Sequence, residues 1–541
     1  MRWHIYLILS FKSRIHHRLI LTVFSLIGLV LLGACATPID FRDKPDFGFN
    51  GLQTGDPLLA TAALAAEYVT DIYANTFLLG RIAEEYQKQN QIEFAKVVLH
   101  RAVSLTRKPA AAPNRYQLQV ELARLYLNLD DAAAARPLLQ EALEQTLALT
   151  NEDLRGAALE SIIERAFQVQ ESFPDILRTA IDYIYVLQDP IQRVGHLVVI
   201  GKKYQDLNVR NRTDNLIQEA IAAAASITNT WAKARAYVLI ARRFSAQNDT
   251  ASANLYISQA LEIINTIEVL AISDDDAEIL LDLIVNLADA GRFREAGAAV
   301  SILPNEQFRI NAQLAIIERA INQKADLQAR LLLQRLLNQL YQQDPENKLE
   351  ISLSSLLRLA DIYQSAGQTA ESIRYARSAM PYLSSANIIN ISAYRSRLAL
   401  ILARNGLMEE AIAGAGLIPD AWIGSQTLRQ LAEILFQRKD IQTKNRANSI
   451  RALLIEAEQL AGQAAYLRES AFADVAATSF RTGDDIRAIR LLQDITDPYL
   501  LGKTLSDAAS ARPSGIPLSS DARLKLELLW KRLLALPPKS R

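Results

Sequence analysis

One cysteine and five histidines set the ceiling on the chemistry open to this 541-residue chain. His4, His16 and His17 lie near the start, which leaves His100 and His196 for the rest. A zinc site draws on clustered Cys and His side chains. A hydrolase built on histidine needs one beside an activated nucleophile. Both remaining histidines fall in helical pattern and read as packed or surface residues. No phosphate loop or paired-carboxylate motif stands out, so no catalytic residue, metal or cofactor is predicted. The run SDDDAE, Ser273 to Glu278, is the one acidic cluster that invites a cation. It also stands where a helix should begin, and acids there favour the positive end of the helix dipole; that is the reading preferred.

The residues whose spacing does suggest a chemistry are basic. Arg124, Arg165, Lys202 and Arg242 recur about once per forty residues, and Arg235 precedes Arg242 by two helical turns. From Gly201 to Arg243, eight basic residues stand against three acidic ones. Guanidinium groups grip carboxylates through two parallel hydrogen bonds. Such a row would hold an acidic peptide segment or a free carboxylate, provided one face of a regular scaffold presents it.

That scaffold is visible as a repeat. AEEYQKQNQIEFAKVVLHRA (Ala83 to Ala102) and ARLYLNLDDAAAARPLLQEA (Ala123 to Ala142) place Ala, Tyr, Ala, Leu and Ala at the same offsets. Eleven helix pairs follow from one anchor in each first helix: Tyr86, Tyr126, Phe167, Tyr204, Phe244, Leu287, Ala320, Tyr363, Leu402, Leu435 and Ser479. Every anchor has an aliphatic residue four positions earlier, from Ile82 to Val475, and most have a small residue three earlier. Positions three and four apart share a helix face, so each first helix carries an apolar stripe. Gly291, Gly367, Gly406 and Gly483 follow their anchors by four, where a C-cap needs a left-handed residue. One pair cannot bury both faces, so pairs must stack. Pro137 falls inside a second helix and should kink it.

These offsets resemble the tetratricopeptide repeat from about Phe77 to Ile495, with longer spacing and without most of its late proline. The resemblance implies an all-α fold, a right-handed α-α superhelix, whose first helices line a concave groove. The residue two before each anchor would then face that groove, basic in four successive units and acidic or neutral later. A helix from Leu58 should cap one end. Asp521 to Ala535 should cap the other through Leu524, Leu528 and Leu529, with Lys525, Lys531 and Arg532 outside.

The start of the chain gives an address. A basic stretch with Arg2, Lys12, Arg14 and Arg18 precedes the uncharged run Leu19 to Leu32. Fourteen residues are short for a membrane span but suit a signal peptide. Leu32-Gly33-Ala34-Cys35 follows and resembles the lipobox of bacterial lipoproteins. The resemblance implies lipidation at Cys35 and, with Ala36 next, an outer-membrane anchor facing the periplasm. The expected organisation is a leader over 1–34, a tether over 35–55, the array over 56–512 and a closing helix with its tail over 513–541.

Fifty-nine basic and 59 acidic residues balance, which argues against a general nucleic-acid binder. The reading is a lipid-anchored scaffold, not an enzyme, that holds a protein or peptide partner in cell-envelope assembly. The alternatives are a cell-wall (peptidoglycan) active enzyme or its regulator, and a plain structural spacer.

Overall fold

A computed structural model describes residues 56–108, 115–167, 173–206, 210–264, 266, 273–341, 349–384, 388–438, 443–512 and 517–536. Residues 1–55, with the expected leader, Cys35 and the expected tether, lie outside the described residues. Twenty-five α-helices account for most of what is described. After α1 (Pro57–Ala66) come α2 (Ile72–Lys88), α3 (Ile92–Thr106), α4 (Arg115–Asn128), α5 (Ala132–Leu147), α6 (Glu152–Phe167), α7 (Pro174–Tyr185) and α8 (Pro190–Asp206). Then follow α9 (Arg210–Ser226), α10 (Thr230–Ala246), α11 (Thr250–Ile264), α12 (Asp274–Asp289), α13 (Phe293–Ala299), α14 (Glu306–Asn322), α15 (Asp326–Tyr341), α16 (Leu349–Ser365) and α17 (Thr369–Ala379). The last are α18 (Ile391–Arg404), α19 (Met408–Ala415), α20 (Ala421–Gln437), α21 (Thr443–Gln463), α22 (Arg468–Thr482), α23 (Asp485–Leu492), α24 (Pro498–Ala511) and α25 (Ser520–Leu534). The fold is an all-α array of tetratricopeptide-like pairs. α2 to α23 are the eleven expected pairs, even-numbered helices first.

Each pair is built by the pattern that announced it. The aliphatic residue four before each anchor is buried in all eleven units, at most 7% exposed. Anchors stack on aromatic rings of the second helix: Tyr86 on Phe94 at 5.4 Å between centroids, Phe244 on Tyr256 at 5.6 Å, Tyr363 on Tyr375 at 5.4 Å. Pro137 sits inside α5, which continues through it.

The turn between paired helices is more uniform than its sequence. Gly291, Gly367, Gly406 and Gly483 adopt the expected positive φ. So do Asn90, Asp130, Asn248 and Lys324, at the same fourth position after their anchors. In all eight units the next N–H donates to the anchor's carbonyl, as Gln91 N does to Tyr86 O at 2.8 Å. This is the Schellman closure of a helix end.

The ends of the array depart from expectation. α1 does not cap an open stack; it packs along α24 as the second helix of a twelfth pair. α24 repeats the first-helix rhythm in Leu505, Ser506 and Ala509, all buried. It touches α22 on one side and α2 on the other. The twelve even-numbered helices therefore contact their neighbours in an unbroken cycle, and the array closes into a ring. Every residue of α1 from Leu58 to Ala66 is buried, as befits a helix apolar on all sides. α25 lies across the outside of the junction, against α1 and α23. It covers them with Leu526, Leu529, Trp530 and Leu533. Leu524 and Leu528, expected inside, are 59% and 53% exposed. Arg532, expected outside, donates to the carbonyls of Gln493 and Ile495.

Candidate functional site

The inner helices bury three sides and leave one free. On α10, Tyr237 and Phe244 face α11, where both stack on Tyr256. Arg235, Leu239, Arg242 and Ala246 fall on the opposite side, spaced by three or four, and are exposed or half-buried. That stripe is the inner wall of the ring.

Most charges on this wall are paired, within a helix or with its neighbour. Arg124 on α4 binds Glu121 at 2.6 Å and reaches Glu84 of α2 at 3.4 Å. The Glu121 hydrogen bond raises its already high pKa, so the cation is fixed. Lys203 on α8 binds Glu164 of α6 at 2.9 Å, and that hydrogen bond lowers the Glu164 carboxyl below its ordinary range. Arg319 and Asp289, Arg358 and Glu318, and Arg429 and Glu433 continue the series at 3.3, 3.4 and 2.8 Å. Arg397 donates to Asp361 at 2.8 Å through Nε. Arg481 also binds Glu433, and Arg81 of α2 binds Asp507 of α24 across the junction.

The five basic residues singled out in the sequence divide accordingly. Arg124 is neutralised by its two carboxylates. Arg165 is out of register: the exposed stripe of α6 runs through Ala157 and Ser161 to half-buried Glu164, so an acid takes the inward position. Arg165 turns aside, with one nitrogen 4.0 Å from Glu164. Lys202 on α8 and Arg235 on α10 are exposed and make no ion pair among the described residues. Arg242 meets Asp282 of α12 only loosely, at 3.6 Å, with both side chains more than half exposed.

Lys202 and Arg242 occupy equivalent positions on adjacent helices, so they stand roughly 8–10 Å apart. Arg235 lies seven residues before Arg242, ~10 Å along the same helix. The three cations form a triangle on a wall with apolar Val199 and Leu239 at the same face. Two other features have structural explanations. Ser273 caps α12, its N–H and hydroxyl donating to the Asp276 carboxylate at 3.2 and 2.6 Å while Asp276 N returns the bond. His196 bonds Glu160 at 2.7 Å and fills the space beside Gly156, where a Cβ would lie 2.4 Å from its ring. A cleft of about 380 Å³ opens between α2, α4 and α24, lined by Phe77, Arg81, Glu84, Glu121, Arg124 and Ser510. Arg81, Glu84, Glu121 and Arg124 all have partners already.

Sequence reasoning missed the acids that neutralise Arg124. Glu84 was visible at the equivalent inward position one unit earlier; the pairing follows once equivalent positions are placed side by side.

No protein-family model matches the chain, and no curated protein matches it in sequence. Solved structures similar to it are helical-repeat proteins. One is a Rap protein complexed with competence and sporulation factor (14% identity, 73% of this chain and 99% of that one, TM-score 0.23). Another is a STAND protein with a tetratricopeptide repeat sensor from Pyrococcus horikoshii (14%, 84% and 67%, TM-score 0.23). A third is the APC/C hetero-tetramer Cut9-Hcn1 (15%, 88% and 88%, TM-score 0.22). Overlays this loose say nothing about partners. No described helix is long and apolar enough to cross a membrane.

Proposed function

We propose that this chain is a binding scaffold whose inner wall takes an extended acidic segment of a protein partner. The segment lies over α8 and α10, its carboxylates on Lys202, Arg235 and Arg242. One observation carries the reading: among the described residues, Lys202 and Arg235 stay exposed and make no ion pair, on a wall where Arg124, Lys203, Arg319, Arg358, Arg397 and Arg429 are each matched to a carboxylate. An exposed, unpaired cation keeps its full capacity for a carboxylate, whereas Arg124 has spent its own on Glu121 and Glu84.

Lipidation at Cys35 would hold the ring at a bacterial outer membrane, on the periplasmic side, where a scaffold could serve envelope assembly. The lone cysteine behind a 14-residue uncharged run supports this. Metabolic labelling with an alkynyl fatty acid tests it: the mature protein should take up label and Cys35→Ser should lose it. Label retained in Cys35→Ser would refute the anchor.

The binding surface is tested by Lys202→Glu, Arg235→Glu and Arg242→Glu combined, with in-cell crosslinking and mass spectrometry. Captured partners should disappear while helicity is unchanged. Arg124→Gln serves as control and should retain them. Partners retained by the triple variant would refute the inner-wall reading.

A further inference from the structure

The ring has one seam that no covalent chain crosses. Every step from one pair to the next is bridged by a loop, the last of them residues 67–71 from α1 to α2. The break lies inside the twelfth pair, where α24 meets α1 and α2 by contacts alone. Those contacts are close. Gly502 of α24 faces Ala62, Ala65 and Leu78; a Cβ there would meet Leu78 Cδ2 at 2.7 Å and the Ala62 carbonyl at 3.3 Å. Arg81 and Asp507 pair across the junction. On one side of the seam, Gln89 at the end of α2 donates to Asp56, the N-cap of α1, at 2.8 Å and holds α1 to α2.

A cycle of twelve helices at ordinary packing distance measures roughly 30–38 Å between opposite axes. Helix thickness leaves about 20–27 Å clear. A folded domain of ~100 residues, with a radius of gyration of ~13 Å, does not pass such an opening. An extended chain between two folded domains therefore reaches the inner wall only if the ring opens. Opening anywhere else strains a covalent loop, whereas parting α24 from α1 and α2 strains none.

We propose that the seam of α24 with α1 and α2 is the gate of the ring: α24 parts from α1 and α2 to admit a partner segment that has no free end, and redocks to encircle it. This rests on the inner wall being the binding surface. α1 supplies a two-state element. Docked, it is buried on every side. Parted from α24, its ten residues are too few to persist as an isolated helix, so the closed state is restored whenever the junction is empty.

The test uses the full chain with Cys35→Ser, so that an engineered pair is its only thiol couple. Ala65→Cys with Gly502→Cys should form a disulfide, because the two Cβ positions are 3.6 Å apart, inside the range disulfides adopt; Leu78→Ala makes room. Two probes are compared by fluorescence anisotropy: a free peptide of about ten residues, mostly Glu, and the same ~33 Å segment joined at both ends to folded domains. The free peptide should bind oxidised and reduced protein equally. The domain-blocked segment should bind only the reduced form.

Failure of the free peptide to bind either form would overturn the inner-wall reading. Equal binding of the blocked segment to the stapled ring would overturn the gate alone. Independently, Gly502→Leu should speed hydrogen exchange over residues 57–66 about a hundredfold while α14 keeps its protection. Unchanged exchange in α1, or loss of protection in all helices together, would also overturn the gate.

Discussion

Arg81 and Asp507 form an ion pair between residues 426 positions apart, and that pair stands on the line where the ring meets itself. Lys503 binds the same carboxylate at 3.0 Å, so Asp507 is doubly held. Arg81→Asp sets two carboxylates against each other and should lower the urea midpoint by about 1 kcal/mol equivalent, the upper end for part-exposed pairs. Asp507→Arg added to it should recover part of the loss. A double variant no better than the sum of the singles would mean the pair does not couple.

The core stripe offers a larger effect. Leu122 is 1% exposed, on the buried side of α4. Leu122→Ala should cost ~2–5 kcal/mol as a cavity-forming truncation, measured by thermal unfolding. A negligible change would place the core elsewhere.

The shared turn can be probed by backbone alone. Gly367 has φ +73° and nothing within 4 Å of where a Cβ would stand, so Gly367→Ala tests conformation without a clash. It should cost about 1–2 kcal/mol. Lys324 holds the same turn at φ 59°, and Lys324→Gly should stabilise by roughly 0.5–1 kcal/mol, strain relief less the glycine entropy. Opposite signs at these equivalent positions are the expected result.

Alkaline pH should unfold the array through its anchors. Burial pushes the Tyr363 hydroxyl up to about 12, helped by Tyr375 and Glu371, and raises Tyr86 further. A raised folded pKa means stability is fully present below pH 10, the ordinary tyrosine value. It is lost as pH climbs from there through about 12, because the unfolded chain ionises first. Tyr363→Phe should flatten the fall in urea midpoint over that window and leave the midpoint's pH dependence near neutrality unchanged. An equally steep fall in the variant would assign the effect elsewhere.

Much of the fold was legible because helical period is local. Ile82, Leu122 and their counterparts needed only positions three and four apart. The turn was more legible than the glycines alone suggested: Gly406 signals a left-handed residue, Asn90, Asp130 and Asn248 are types that adopt it readily, and only Lys324 takes it with no such preference. The frame slipped at Arg165 because Phe167 looked like the anchor. Buried Ala166 has the anchor's offsets to Ala157, Ser161 and Glu164, and Phe167 packs edge-on against Tyr204 at 4.7 Å instead. Ring closure was not legible. α24 keeps the small-residue spacing with Ala509, not an aromatic, at the anchor position, and nothing in Leu58 to Ala66 says that its partner lies beyond residue 497. Of the candidate surface, the basic residues were visible and their neutralisation was not, since that depends on which neighbour's carboxylate reaches across.

The all-round burial of α1 also dictates an order of events. Among the described helices α1 is made first, and the surface it needs is made nearly last. Through most of synthesis its leucines have no native neighbour from α24 or α25, so a growing chain carries a greasy leading end that must be shielded. Assembly of the native circle is thus the final act of folding, and a chain cut short anywhere before α24 is left with its opening segment orphaned.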